Sequence, residues 1–141
     1  MRITVKLGGS ILEDSDIRTR LLSQVGTIAK EGHEIILVHG GGKSLNRRLS
    51  QMQMPSRFVE GLRVTDAETL EVAVMVLSGE VNKRLVSELG CLGTTAIGIC
   101  GADAAAVFLS VLFGSIKNIP IFFIPERMVQ LLAVRLLPVR F

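Results

Sequence analysis

Residues 34–42 are Glu-Ile-Ile-Leu-Val-His-Gly-Gly-Gly, an apolar run that ends in three consecutive glycines. Successive apolar residues at 35–38 are typical of a strand buried on both faces of a parallel sheet, so a strand is predicted over 34–38. The glycines predict a turn, and a helix is predicted from about residue 43 to residue 51. A strand, a turn and a helix in this order form the first part of a βαβ unit.

The N-terminus has the same order of elements. Residues 3–7 are rich in β-branched side chains and end at Gly8-Gly9, which predicts a strand followed by a tight turn. Ser15 or Asp16 is suited to cap the helix that follows, because short polar side chains accept hydrogen bonds from the first turn. Two consecutive strand–glycine–helix units therefore begin the chain.

The longest predicted helix begins at a capping box formed by Thr65 and Glu68. One apolar face is predicted for this helix, with residues at helical spacing: Leu70, Val74, Leu77, Val81, Leu85 and Leu89. Residues 52–61 before it are predicted to form a loop, and residues 95–99 after it a third strand. Beyond Asp103 the pattern weakens, and it predicts a strand at 119–124, a helix at 126–134 and the start of a strand at 137–139.

This alternation predicts an α/β fold, a three-layer sandwich with a mainly parallel central sheet, in one domain over residues 1–141. Hydrophobic residues make up 48% of the chain and charged residues 21%, which is enough apolar material for a packed core. The spacing of Cys91 and Cys100 fits no metal or redox motif, so two buried thiols in a reducing compartment are predicted.

Composition disfavours two classes of partner. The net charge of +3 is spread among acidic residues, and the chain lacks Trp and Tyr for base stacking, so no nucleic-acid partner is predicted. The N-terminus has no long apolar core typical of a signal peptide. The most apolar stretch, residues 104–113, is far shorter than the roughly 20 residues that a membrane helix needs. We therefore expect a cytoplasmic protein without a membrane partner.

The two glycine turns are candidates for an anion site. In a parallel sheet both turns lie at the carboxyl ends of strands, where ligands bind. Glycine allows close approach of an anion to backbone N–H groups, helix N-termini add partial positive charge, and Lys6 adds a full charge. A Gly-Gly after a strand is also an ordinary turn, and the spacing leaves both interpretations open. The chain contains neither a Walker A loop nor a dinucleotide fingerprint.

Arg63 is a candidate carboxylate ligand, because its guanidinium can hold both oxygens of a carboxylate. The alternative is a surface arginine that is solvated or paired with Glu60 or Asp66. His39 is predicted to be a packed or hydrogen-bonded residue without a catalytic role. Residues 82–83, Asn-Lys, are predicted to be an exposed helix pair.

Three motifs in order resemble the amino acid kinases. Residues 5–10 (VKLGGS) and 38–43 (VHGGGK) are similar to the two glycine loops of that family. Residues 61–66 (GLRVTD), with Leu77, Gly79, Asn82 and Lys83, resemble acetylglutamate kinases in particular. The resemblance extends from Arg2 to about Asp103. The closest alternative is a carrier-protein-linked aminoadipate or glutamate kinase, whose second loop tends to lack the third glycine.

The resemblance implies a reaction and a role for each motif residue. The reaction is transfer of a phosphoryl group from ATP, with Mg²⁺, to the side-chain carboxylate of N-acetyl-L-glutamate in arginine biosynthesis. The implied catalytic residue is Lys6, which would stabilise the transferring group. The implied ligands are Gly8 and Gly9 for phosphate, Gly41 and Gly42 for the acetylated substrate, and Arg63 for its α-carboxylate. The resemblance leaves open whether the protein is a homo-oligomer.

The chain also departs from the family pattern. Asp103 is followed by Ala104 where the family usually has glycine, and residues 104–124 do not match the expected hairpin. The family's later asparagine-rich motif, organising aspartate and second lysine have no counterpart here. The resemblance therefore implies an N-terminal amino-acid-substrate domain without the ATP-binding C-terminal domain, and we expect no ATP turnover from it. The alternative is a non-catalytic amino-acid-binding or regulatory remnant.

Overall fold

A computed structural model describes residues 1–60 and 62–100, with residues 130–134 as backbone. The strands are β1 (Arg2–Leu7), β2 (Glu34–His39), β3 (Phe58–Val59), β4 (Leu62–Arg63), β5 (Ile97–Cys100) and β6 (Gln130–Val134). The helices are α1 (Gly9–Glu13), α2 (Ser15–Lys30), α3 (Gly42–Gln51), α4 (Ala67–Val74) and α5 (Asn82–Cys91), and a π-helical segment, Met75–Val81, joins the last two. No helix in these ranges is long and apolar enough to cross a membrane.

The main sheet has the strand order β1-β2-β6-β5. β1 and β2 are parallel, and β6 lies antiparallel between β2 and β5, so the three strands other than β6 point the same way. The α/β class is confirmed. The predicted helix over 126–134 is wrong at residues 130–134, because that backbone pairs with strands on both sides. A short apolar run does not distinguish strand from helix by its pattern alone. The strands predicted at 119–124 and 137–139 lie outside the described residues.

The hydrophobic core lies between the sheet and the helices. Leu7 of β1 and Ile35 and Leu37 of β2 pack in one cluster with residues from all the described helices. Side chains alternate along a strand, so Thr4 and Lys6 lie on the opposite face of β1, and both are exposed. The described helices thus form one layer against one face of the sheet. The described residues do not test the second helical layer of the predicted sandwich.

Two helices begin at aspartates rather than at the predicted caps. Asp14 caps α2 by accepting hydrogen bonds from the next turn, so the cap precedes the predicted residues 15–16. Asp66 caps α4: its carboxylate accepts a hydrogen bond from the backbone N–H of Thr69, with 2.8 Å between nitrogen and oxygen. The predicted capping box of Thr65 and Glu68 is therefore wrong. Adjacent polar residues have similar capping preferences, and only the backbone path selects between them.

The π-helical segment changes which residues of the long helix are buried. Val76 and Val81 are both buried, and the step between them is five residues instead of the four of an α-helix. Buried positions then continue at Leu85 and Leu89. The predicted single apolar face is therefore correct after the segment and wrong before it, where Val74 is 39% exposed.

Two smaller predictions also fail. The predicted loop over residues 52–61 contains β3, which pairs antiparallel with β4 in a short hairpin. The cysteines form no disulfide with each other, but they are not buried: Cys91 is exposed at the end of α5, and Cys100 is partly exposed at the end of β5. Both positions lie at element ends, where packing against the core stops.

Candidate functional site

The two glycine turns are neighbours at one edge of the sheet. β1 and β2 run parallel in register, with Leu7 opposite His39, so the turns that follow them begin side by side. The backbone N–H of Gly40 donates to the carbonyl of Leu7 at 3.4 Å, which joins the two turns directly. The predicted common edge is confirmed, and it lies at the carboxyl ends of these strands, where ligands bind in parallel sheets.

The helices that follow the two turns differ in length. Gly8 precedes α1, which has 5 residues, whereas Gly41 precedes α3, which has 10. The first N–H groups of a helix have no partner within it, so both turns offer donors. The aligned peptide dipoles of α3 favour an anion at its start, but α1 is too short to add much of this effect. Donation at the first turn therefore comes mainly from individual N–H groups.

The glycines themselves serve two purposes. A Cβ built at Gly8, Gly9 or Gly42 meets nothing within 4 Å, so these positions face open space that a ligand can enter. A Cβ at Gly41 would lie 2.5 Å from Leu77 Cδ2 and 3.3 Å from Val81 Cγ2. The second turn is thus packed closely against the π-helical segment, and a side chain at 41 would displace the Leu77 side chain. Contact of Gly41 and Gly42 with a substrate remains a prediction.

Lys6 is exposed and lies two residues before Gly8, the residue that precedes α1. Its register partner on β2 is Val38, so both lie on the sheet face away from the helical core. The ammonium group is free to move at the end of a long, flexible stem. The structure therefore places Lys6 near the carboxyl end of β1, and its role in phosphoryl transfer remains a prediction.

Arg63 is attached to the helix that follows the second glycine turn. Its guanidinium donates to Asn46 of α3 and to the hydroxyl of Ser56 at 2.9 Å, and it stacks over the ring of Phe58 at 4.6 Å from the centroid. Asn46 lies about one turn after Gly42, so Arg63, which is on the hairpin of β3 and β4, contacts the N-terminal part of α3. The side-chain partners described for Arg63 are neutral, so none of them offsets its charge with a carboxylate. Partial burial lowers the pKa of Arg63 below its usual value.

A buried histidine–asparagine pair supports the second turn. His39 is 5% exposed, with Nδ1 2.9 Å from the carbonyl of Gly40 and Nε2 3.2 Å from Nδ2 of Asn82. An amide nitrogen only donates, so Nε2 accepts and Nδ1 carries the proton that it donates to Gly40. Burial lowers the pKa of His39 and favours this neutral form. The neutral ring therefore holds the Gly40 carbonyl in one orientation.

The prediction that Asn82 and Lys83 form an exposed pair is wrong for Asn82. Asn82 is 1% exposed, because the π-helical step turns it towards β2 and β5. Lys83 is exposed as predicted, and its ammonium donates to the carbonyl of Gly98 at 2.9 Å. The sequence signal that could have indicated this burial is the position of Asn82. It directly follows Val81 and lies three residues before Leu85, and both of these apolar residues were predicted to face the core.

Charged side chains connect α1, α3 and the π-helical segment. Glu13 accepts from the hydroxyl of Ser44 at 2.7 Å and from Arg47 at 2.8 Å. Glu80 accepts from Arg47 at 3.4 Å and from Arg48 at 2.9 Å. The hydrogen bond from Ser44, and then the bond and charge of Arg47, lower the pKa of Glu13. Sequence reasoning assigned no role to any of these residues.

Comparisons with known proteins agree on a family. The model of the amino acid kinase family matches residues 1–132. The acetylglutamate kinases of Koribacter versatilis and Acidobacterium capsulatum are 46% and 52% identical over 103 residues, which is 73% of this chain and 40% of each relative. The chloroplastic acetylglutamate kinase of Arabidopsis thaliana is 46% identical over 101 residues, 72% of this chain and 29% of the relative. The chain thus spans well under half the length of these relatives.

Two solved structures share the fold. The structure of smu.665 from Streptococcus mutans UA159 matches with a TM-score of 0.58 and 29% identity, over 66% of this chain and 37% of its own. N-acetylglutamate synthase from Neisseria gonorrhoeae matches with a TM-score of 0.55 and 24% identity, over 66% of this chain and 22% of its own. The second likeness bears on the fold alone.

Proposed function

Because the chain belongs to the amino acid kinase family, we propose that it is the amino-acid-binding part of a kinase that phosphorylates the side-chain carboxylate of N-acetyl-L-glutamate with ATP. The observation that carries the proposal is the parallel pairing of β1 and β2, which sets Gly8 beside Gly40 at one sheet edge. Relatives at 46–52% identity that are named acetylglutamate kinases support this substrate.

The proposed division of labour follows from the two turns. The backbone N–H groups of Gly8 and Gly9, with the ammonium of Lys6, would stabilise the phosphoryl group in transfer. The start of α3 at Gly42 would face the acetylated substrate, and Arg63 would bind its α-carboxylate. Phosphoryl transfer depends on alignment and charge stabilisation, and adjacent turns suit this because they hold donor and acceptor side by side.

ATP and Mg²⁺ belong to the proposal as partners of the reaction. Among the described residues no group of three or more His, Cys, Asp or Glu side chains could hold a metal ion. Mg²⁺ would therefore be carried chiefly by the phosphates of ATP, as is usual for this ion. On this proposal the ATP-binding domain corresponds to the part of the relatives' length that the chain does not match. We propose a cytoplasmic location, as for an enzyme of amino-acid biosynthesis.

Calorimetric titration with N-acetyl-L-glutamate tests the proposal. Arg63→Lys should weaken binding by about 1–3 kcal/mol, because a point charge replaces the two-pronged guanidinium. Arg57→Lys is the matched control, since Arg57 is an exposed arginine near the same hairpin, and its affinity should remain within about twofold. Equal affinities of the wild type and the Arg63 variant would contradict the proposed carboxylate contact.

A second measurement separates a kinase from a non-catalytic binding protein. Release of ADP that requires N-acetyl-L-glutamate and is lost in Lys6→Ala would demonstrate catalysis by this chain. For these 141 residues we expect binding without ADP release, because both ends of the reaction must be held in line. Absence of binding by the wild-type chain would refute the proposed substrate.

A further inference from the structure

The two glycine turns are connected a second time, behind the sheet edge. α1 begins directly after the first turn and ends at Glu13, and α3 begins at the second turn and carries Ser44 and Arg47. The carboxylate of Glu13 spans the gap between these helices, with Ser44 on one oxygen and Arg47 on the other. Each turn is therefore fixed to a helix, and the side chain of Glu13 joins the two helices by hydrogen bonds.

We propose that Glu13 is a positioning residue that sets the spacing between the two anion-binding turns. The proposal rests on the proposed function, because the spacing matters only if the phosphoryl donor and the amino acid bind at these turns. The proposal gives Glu13 no direct contact with either reactant. It acts through Ser44, which is 1% exposed in the third position of α3 and so is well fixed.

The geometry favours a bridge over a pair of incidental surface contacts. Ser44 donates at 2.7 Å to one carboxylate oxygen while Arg47 donates at 2.8 Å to the other, so both oxygens are held. Charge-assisted hydrogen bonds of this length are stronger than neutral ones. The side chain of Glu13 is 25% exposed, against 48% for Arg47, so the bridge is screened less than the exposed part of the network.

Glu80 provides a matched control within the same network. It accepts from Arg47 and Arg48, which are both on α3, but it lies on the π-helical segment, so these two bonds do not join α1 to α3. Its side chain is 32% exposed, similar to Glu13. Removing either carboxylate disrupts an ion pair with Arg47, whereas removing Glu13 also removes the side-chain hydrogen bonds described between α1 and α3.

The first test measures the affinity for N-acetyl-L-glutamate by calorimetry in the wild type and three variants. We expect about a tenfold loss for Glu13→Ala, about a threefold loss for Glu13→Gln, which still accepts from Ser44, and a change below about twofold for Glu80→Gln. Thermal unfolding should show similar, small losses for Glu13→Gln and Glu80→Gln, because both substitutions keep a hydrogen-bond acceptor. Equal affinities for Glu13→Ala and wild type, or equal losses for Glu13→Ala and Glu80→Gln, would overturn the positioning role.

The second test needs no ligand and separates this inference from the proposed function. Hydrogen exchange at the amides of Leu12 and Leu45, which donate to the carbonyls of Gly8 and Gly41, should accelerate together in Glu13→Ala and remain unchanged in Glu80→Gln. Unchanged exchange in Glu13→Ala would refute the bridge itself. Coupled acceleration in a chain whose wild type does not bind N-acetyl-L-glutamate would instead leave the bridge intact and refute the proposed substrate.

Discussion

Gly98→Ala tests whether α5 packs directly against β5 through the buried amide of Asn82. A Cβ added at 98 would overlap the side chain of Asn82 and lie 3.0 Å from Val86 Cγ2. The amide cannot move aside without weakening its bond to Nε2 of His39, which is 3.2 Å long. Overpacking costs about 1–3 kcal/mol, and loss of one buried hydrogen bond adds about 1 kcal/mol. Reduced freedom of the unfolded chain offsets up to about 1 kcal/mol.

We therefore expect Gly98→Ala to lower the free energy of unfolding by about 1–3 kcal/mol in equilibrium urea denaturation. Gly90→Ala is the control, because a Cβ there meets nothing within 4 Å, and in α5 it should stabilise by up to about 1 kcal/mol. In an Asn82→Ala background the overlap disappears, so Gly98→Ala should cost at least about 1 kcal/mol less. Additive effects of the two substitutions, or a neutral Gly98→Ala, would refute the reasoning.

Three further outcomes follow from burial and capping. Burial lowers the pKa of His39 below 6.5 in the folded chain, so the unfolded chain binds protons more readily. The stability that the neutral ring contributes should therefore be complete above pH 6.5 and should fall as the pH drops below it. In urea denaturation, His39→Gln should reduce this dependence of stability on pH. Asp66→Ala should cost about 1 kcal/mol by the loss of the α4 cap, and Asp66→Asn much less. Glu88→Ala should lower the free energy of unfolding by about 3 kcal/mol, because it leaves the buried guanidinium of Arg18, which is 8% exposed, without its carboxylate. Glu34→Ala breaks the exposed ion pair with Arg2 and should lower it by less than about 1 kcal/mol.

The sequence was sufficient for the parts of the fold that local patterns determine. The strands before Gly8 and Gly40 follow from short apolar runs bounded by glycines, and their common edge follows from the parallel order of the units. These same patterns located the candidate site. Contacts between distant residues could not be obtained in this way, because no local pattern in Glu13 or Ser44 indicates that the two side chains meet.

The failed predictions have one physical origin, which is competition settled by tertiary structure. Residues 130–134 have an apolar run that suits a helix or a strand, and pairing with both β2 and β5 decided for the strand. Asp14 and Asp66 cap helices beside other polar residues that could serve equally well. A helical period of 3.6 applied across residues 65–91 placed Asn82 on the surface, because that period cannot include a π-helical step.

The π-helical segment has a consequence for comparison between family members. Compared with a regular α-helix, the segment contains one extra residue between the buried positions Val76 and Val81. A relative with an uninterrupted α-helix here would be one residue shorter and would still pack. An alignment that forbids gaps inside helices would then displace Asn82 and every later position by one. Residue equivalences beyond Val81 should therefore be drawn from superposed backbones.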